Sequence, residues 1–271
     1  MIDSPIKWVG GKSKLRSEVI ARFPHDAECY AELFAGAGWV LFGKNPHPVE
    51  VLNDKDAELM NLYRVIKWRP AELLEEIQRS LYSRALFMEL RAQDTSTLSE
   101  LDKAVRTYLM IQMSFGSDIS RSQTASFGFR NKSPRDLFLN KSIDQIFPAS
   151  TRLRGVFVEH GDFDDILRRY DQPRSLFFAD PPYLGTCGYA EAFNECDHER
   201  LAASLQAIEG RFLVTVGDHP RIREMYTGCH FEETSEARAL ARASEGRVAA
   251  PILYISNYVP KDGGLFGEVG E

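Results

Sequence analysis

The chain has 271 residues, 44% of them hydrophobic and 27% charged, enough for one large domain or a core domain carrying a smaller insert. No stretch approaches about 18 uncharged apolar residues and the first fifteen residues hold no apolar h-region, which argues against a membrane span and a secretory signal. With 33 Lys and Arg against 39 Asp and Glu, the formal charge of −6 excludes a polycation that coats nucleic acid, but a local basic face stays open.

Residues 6–14 read as a loop or helix entry. A buried strand is expected at 29–34 (CYAELF), running straight into a glycine turn at 35–38. A short strand at 50–53 follows, then a helix with Leu59, Leu62, Tyr63 and Ile66 at helical spacing. This β-α-β-α order predicts a parallel sheet with helices on its faces.

Residues 68–114 read as helix after helix. There 97–100 (TLSE) fits a capping box, and Leu98, Leu101, Val105, Tyr108 and Gln112 recur at spacings of three and four. Periodicity fades over 115–154, a stretch rich in Ser, Arg, Phe and Asn. Strands are expected again at 155–159, 175–179, 211–216 and 252–256, with a short helix after Asp162. The pattern is an α/β core of residues 1–67 and 155–271, interrupted by a helical and loop insert at 68–154. The tail 263–271 reads as frayed.

Three motifs carry chemistry. Asp180, Pro181, Pro182 and Tyr183 end an apolar strand, where open α/β sheets place ligands. The two prolines fix where Asp180 and the following carbonyl point. The turn FAGAG at 34–38, with Phe34, Gly36 and Gly38 and preceded by Glu32, lets a ligand approach the backbone closely. A dinucleotide fingerprint needs a third glycine where Leu41 stands. Asp54, after the second strand, is placed to accept hydrogen bonds from ribose hydroxyls, or to cap the helix at 56–66. A nucleoside cofactor without a pyrophosphate fits, and S-adenosylmethionine is one. The third motif is Lys7, Trp8, Gly10, Gly11 and Lys12, a glycine turn with an aromatic face and cations. It lacks the first glycine of a phosphate-binding loop, since Ile6 stands there.

Cys29, Cys187, Cys196 and Cys229 form no C-x-x-C pair, and His198 near Cys196 has no second pair to complete a metal site. No metal is expected, and a reducing cytoplasm is the default compartment. Residues 121–154 carry seven Lys and Arg against two Asp, a net +5 that leaves −11 for the rest of the chain. Arginines and short polar side chains suit phosphates and base edges.

In these motifs and their order the chain resembles the Dam-type DNA adenine-N6 methyltransferases, over nearly its whole length. The matching elements are K-W-x-G-G-K, F-x-G-x-G, an acid after the second strand, G-D-F at 161–163, D-P-P-Y and a late N-Y at 257–258. The resemblance implies a Rossmann-like methyltransferase core, a mostly parallel sheet with helices on both faces, and a target-recognition domain inserted at 68–154. It implies S-adenosylmethionine as cofactor. Lys7, Trp8, Gly10, Gly11 and Lys12 would border the cofactor and target-base pocket. Glu32, Phe34, Gly36 and Gly38 would hold the methionine end, Asp54 the ribose, and Asp162 with Phe163 the adenine. Asp180, Pro181, Pro182 and Tyr183 would hold the target base, with Asp180 also beside the cofactor. Arg121, Ser122, Gln123, Phe127, Arg130, Lys132 and Arg135 would contact double-stranded DNA.

The insert departs from the family pattern, with SFG at 114–116 and SFGFR at 126–130, so the family's common GATC specificity is not carried over to this chain. The expected protein is a cytoplasmic monomer that methylates adenine N6 in duplex DNA. The alternatives are an RNA adenine or DNA cytosine-N4 methyltransferase, or a non-catalytic DNA-binding relative.

Overall fold

The computed structural model describes residues 1–8, 10–114, 127–128, 141–184, 193–234 and 252–260. It is a mixed α/β structure whose seven strands make a mostly parallel sheet. The chain divides into two compact units, residues 1–17 with 35–162 and residues 18–34 with 163–271.

The first unit contains β2 (Val49–Asp54) and β3 (Val156–His160), paired in parallel from Glu50 opposite Val156 to Asp54 opposite His160. After a short helix α2 (Trp39–Gly43), α3 (Ala57–Trp68) buries the predicted face of Leu59, Leu62, Tyr63 and Ile66. The helices α4 (Pro70–Arg79), α5 (Arg84–Ala92) and α6 (Glu100–Met113) follow, with α7 (Lys141–Asp144) and α8 (Ile146–Leu153) completing the helical part. α3 packs against α6 and α8, so the helical stretch is built onto the helix that follows β2.

Two caps differ from expectation. Thr97 does not start a helix. It ends a 3₁₀ turn over Thr95–Thr97 that Asp94 caps, and α6 begins after Ser99, whose Oγ accepts from the Asp102 amide at 3.1 Å. The same chemistry is met two residues later, because the turn uses the earlier threonine. Asp54 does not cap α3 either. Asp56 does, accepting from the Glu58 and Leu59 amides at 2.9 and 3.0 Å, which leaves Asp54 outside the helix end.

A buried ion cluster ties the strand to the helices. Glu50 at the start of β2 pairs with Lys44 and with Arg152 of α8, both of whose terminal guanidinium nitrogens reach its carboxylate. Lys44 and Glu50 are 2% exposed at their side chains, so neither charge is balanced by water. Arg152, one cation of the basic stretch, is thus committed inside the chain.

The second unit contains β1 (Cys29–Glu32), β4 (Ser175–Ala179), β5 (Arg211–Gly217), β7 (Ile252–Ser256) and β6 (His230–Thr234), neighbours in that order. β1, β4 and β5 are parallel, and β7 is antiparallel to both β5 and β6. Every residue of β4 is buried, as its unbroken apolar run predicts for an inner strand. The helices here are α9 (Phe163–Tyr170), α10 (Glu195–Gln206) and α11 (Pro220–Met225); α1 (Arg16–Ala21) spans the boundary between the units. β6 was not expected. Its sequence HFEET is half-exposed and polar, as an edge strand tolerates. The late Asn257 pins the sheet, accepting from the Phe212 amide at 3.0 Å and donating to the Gly210 carbonyl at 2.9 Å.

Candidate active site

In the first unit the glycine turn is held by the end of β2. Ala35 donates to the Asn53 carbonyl at 2.8 Å, and Gly36 donates to Asp54 Oδ2 at 3.0 Å. Tyr63 of α3 donates its hydroxyl to the Gly36 carbonyl at 2.8 Å. Gly36 has φ +44°, and a Cβ there would stand 3.0 Å from the Trp8 indole. Glycine is needed on both counts, and Trp8, half-buried, is thereby placed against the turn. Gly38 occupies the N-cap of α2.

The N-terminal motif forms its own tight turn. Gly11 donates to the Trp8 carbonyl at 3.2 Å, and a Cβ at Gly11 would meet the Trp39 ring at 3.0 Å. Lys12 is buried, with Nζ 3.3 Å from the Gly10 carbonyl. Lys7 is half-buried and Gly10 exposed.

Asp54 accepts from Gly36 on one oxygen and from the Asp56 amide at 3.0 Å on the other. Burial pushes its carboxyl up to about 6, against the pull of those backbone N–H groups. This geometry separates two kinds of cofactor. A phosphate-binding turn must offer its amides to an anion, but the Gly36 amide already serves a carboxylate. A pyrophosphate would be repelled, whereas a ribose diol finds an acceptor. The turn therefore suits a sugar diol rather than a pyrophosphate. Asp162 stands two residues past His160, the register partner of Asp54, and Asn53 donates to the Gly161 carbonyl at 3.1 Å beside it.

In the second unit, β1 and β4 end side by side. Leu33 still donates to the Phe178 carbonyl at 2.9 Å, so Phe34 and Asp180 leave neighbouring strand ends. Glu32 is 2% exposed and accepts from the Tyr30 hydroxyl at 2.9 Å. Phe34, Phe163 and Phe193 form an aromatic cluster with centroids 5.4 to 6.2 Å apart. The Arg200 guanidinium lies 4.1 Å over Phe163. Asp180 is half-buried and accepts the Thr215 hydroxyl of β5 on Oδ1 at 2.7 Å. Pro181 is buried, and Pro182 and Tyr183 are half-buried.

Two residues that sequence reasoning missed touch this turn. Thr215 holds Asp180, and His198 of α10 hydrogen-bonds the Pro182 carbonyl. Neither carries a sequence signal, since each acts from a separate element of the fold.

Of the residues expected to meet DNA, Phe127 is described. It is half-buried, packs against Tyr82 and Phe87 at 5.6 Å each, and lies under the Arg84 guanidinium at 4.9 Å. A bridge to Ser114 and the Gly128 amide, 2.7 Å from the Met113 carbonyl, hold it at the end of α6. Arg121, Ser122, Gln123, Arg130, Lys132 and Arg135 lie outside the described residues. Among the described residues, no group of three His, Cys, Asp or Glu could hold a metal, and no helix is long and apolar enough to cross a membrane.

The mostly parallel α/β sheet with its helices is that of the Rossmann-like methyltransferase class. The model of the D12 class N6 adenine-specific DNA methyltransferases matches residues 8–240, and the chain belongs to that family. Among curated relatives, the type II methyltransferase M1.LlaDCHI of Lactococcus lactis subsp. cremoris is 24% identical, over 93% of this chain and 94% of its own length. The type II methyltransferase M.CviBI of Paramecium bursaria Chlorella virus NC1A is 25% identical, over 93% and 98%. The DNA adenine methylase of Haemophilus influenzae is 21% identical, over 90% and 89%. Adenine N6 in DNA is thus the methylated position, rather than RNA or cytosine N4, and the enzymatic reading stands over a non-catalytic relative.

Proposed function

We propose that the protein transfers the methyl of S-adenosylmethionine to N6 of an adenine flipped out of duplex DNA, with Asp180, Pro181, Pro182 and Tyr183 holding the base. The observation that carries this reading is the D-P-P-Y turn at the C-terminal end of the buried strand β4, with Asp180 fixed by Thr215. Asp54 would hold the ribose, Asp162 and Phe163 the cofactor adenine, and Glu32, Phe34, Gly36 and Gly38 the methionine end. Lys7, Trp8, Gly10, Gly11 and Lys12 would line the rim.

Bound S-adenosylmethionine supplies an electrophilic methyl on a sulfonium. The exocyclic amine is a poor nucleophile because its lone pair is delocalised into the ring. Asp180 accepts one of its N–H groups and the Pro181 carbonyl the other, which favours a pyramidal nitrogen with its lone pair aimed at the methyl. Tyr183 stacks on the base. Extrusion of the base costs a few kcal/mol, which the stacking offsets in part. Positioning and electrostatics supply most of the acceleration. The amine becomes far more acidic as it is alkylated, so Asp180 takes the proton late and need not be a strong base.

Residues 68–154 would read the target, with the basic stretch on phosphates and bases, and residues 1–67 and 155–271 would form the catalytic core. The type II names of two relatives support a modification enzyme, and a DNA substrate supports a cytoplasmic place. The test is tritiated methyl transfer to unmethylated duplex DNA. Label recovered as N6-methyladenine is expected, and label in RNA alone, or none, overturns the reading. Asp180→Ala should abolish transfer and retain cofactor binding.

A further inference from the structure

We propose that His198 is a positioning residue for the D-P-P-Y turn: its Nδ1–H, donated to the Pro182 carbonyl, sets the direction in which that turn presents Tyr183. The proposal rests on the reading of Asp180–Tyr183 as the target-base turn.

His198 is itself firmly placed. It lies in the first turns of α10, and its amide donates to the Asn194 carbonyl at 3.1 Å. A reciprocal capping box fixes that helix start. Asn194 accepts from the Asp197 amide at 3.2 Å, and Asp197 accepts from the Asn194 amide at 3.0 Å. The imidazole is 1% exposed and meets the Phe193 ring edge-on at 4.8 Å. Phe193 in turn packs on Phe34 and Phe163, so the ring is anchored in the wall beside the D-P-P-Y strand end.

The imidazole proton sits on Nδ1. The ring hydrogen-bonds the Pro182 carbonyl, while Nε2 has no hydrogen-bond partner among the described residues. A carbonyl only accepts, so the bonded nitrogen is a protonated Nδ1. Burial keeps the ring below its ordinary pKa and therefore neutral, with Nε2 bare.

The effect on the turn follows from backbone geometry. Both prolines have φ fixed at about −65°. A residue before proline is confined to extended ψ, which restrains Asp180 and Pro181. The first soft torsion after Asp180 is therefore ψ of Pro182. Tyr183 hangs from it, and the Pro182 carbonyl rotates with it. A hydrogen bond to that carbonyl from a rigid, buried ring removes the freedom that the prolines leave.

The experiment compares His198→Asn, His198→Gln and His198→Leu in the full chain, by single-turnover methyl transfer, S-adenosylmethionine affinity and thermal melting. Asn places an amide N–H where Nδ1 stood; Gln carries it on toward the position of Nε2. Asn should keep turnover within about threefold, while Gln and Leu slow it by at least about tenfold, or about 1.4 kcal/mol in the barrier, with cofactor affinity unchanged in all three. Gln as active as Asn, or Asn as slow as Leu, would overturn the proposal, because activity would then not follow the Nδ1 donor. If Leu does not fold, the Asn and Gln pair decides alone. Asp180→Ala run alongside separates the two readings. An active Asp180→Ala removes the assignment of the turn; an inactive one beside an unimpaired His198→Gln removes only the role of His198.

Discussion

Thr215 donates its hydroxyl to Oδ1 of Asp180 at 2.7 Å from a fully buried position on β5. A hydrogen bond to a charged acceptor contributes about 1.5–3 kcal/mol, and here it also fixes the rotation of the carboxylate proposed to meet the target amine. Thr215→Val keeps the shape and removes the donor. Turnover should fall by about tenfold with little change in melting temperature, and Thr215→Ser should restore most of it. Steady-state methyl transfer checks this, and an unimpaired Thr215→Val enzyme would show that Asp180 is oriented without the hydroxyl.

If Asp54 holds the cofactor ribose as proposed, cofactor binding should depend on pH. Its carboxyl is pushed up to about 6, chiefly by burial. Ribose hydroxyls would donate to the ionised form, so affinity should be full well above 6 and weaken as pH falls through it. Stability of the unliganded protein runs the other way. A raised carboxyl pKa means that the folded state binds its proton more tightly, so this contribution is present below 3.8 and is lost as pH rises through about 6. Calorimetric titration with S-adenosylmethionine should show the step, and Asp54→Asn should weaken binding and flatten the profile.

Glu50 supports the fold rather than the chemistry. Its carboxylate sits between Lys44 and Arg152, and replacement by Gln leaves two cations without their counter-charge, one of them deeply buried. Glu50→Gln should cost about 3 kcal/mol of stability, seen as a lower denaturation midpoint at unchanged slope. Methyl transfer by the fraction still folded should be near normal, because the cluster stands at the start of β2 and the glycine turn at its end.

What was legible in the sequence was what local patterning fixes. The apolar run 175–179 is β4 to the residue, and the face of Leu59, Leu62, Tyr63 and Ile66 is buried in α3. Near neighbours of the same chemistry are not separated by local patterning. Asp54 and Asp56 are equally good caps on paper, and only the bond from Gly36 to Asp54 shows which is turned to the glycine turn. The threonine and serine at 97 and 99 pose the same ambiguity. Thr215 and His198 were illegible because their partners lie 35 and 16 residues away, brought together by strand pairing and by the start of α10. Strand β6 gave no signal because an edge strand has no continuous apolar run to show.

The basic stretch should set the salt dependence of duplex binding. Of its seven cations, Arg152 is bound to Glu50, so the charge proposed to meet DNA is smaller than the count suggests. Arg130 and Lys132 belong to the same stretch. Each phosphate contact removed should lower the slope of log binding constant against log salt by about 0.9 for duplex DNA, so Arg130→Ala with Lys132→Ala should lower it by about two. Phe127→Ala is the contrasting variant. Its ring packs on Tyr82 and Phe87, so its loss should lower melting temperature while leaving the slope unchanged. Salt titrations of duplex binding by fluorescence anisotropy distinguish the two. An unchanged slope in the double variant would mean that these cations meet water rather than phosphate, and a reduced slope for Phe127→Ala would mean that the ring aligns the cations as well as anchoring the chain.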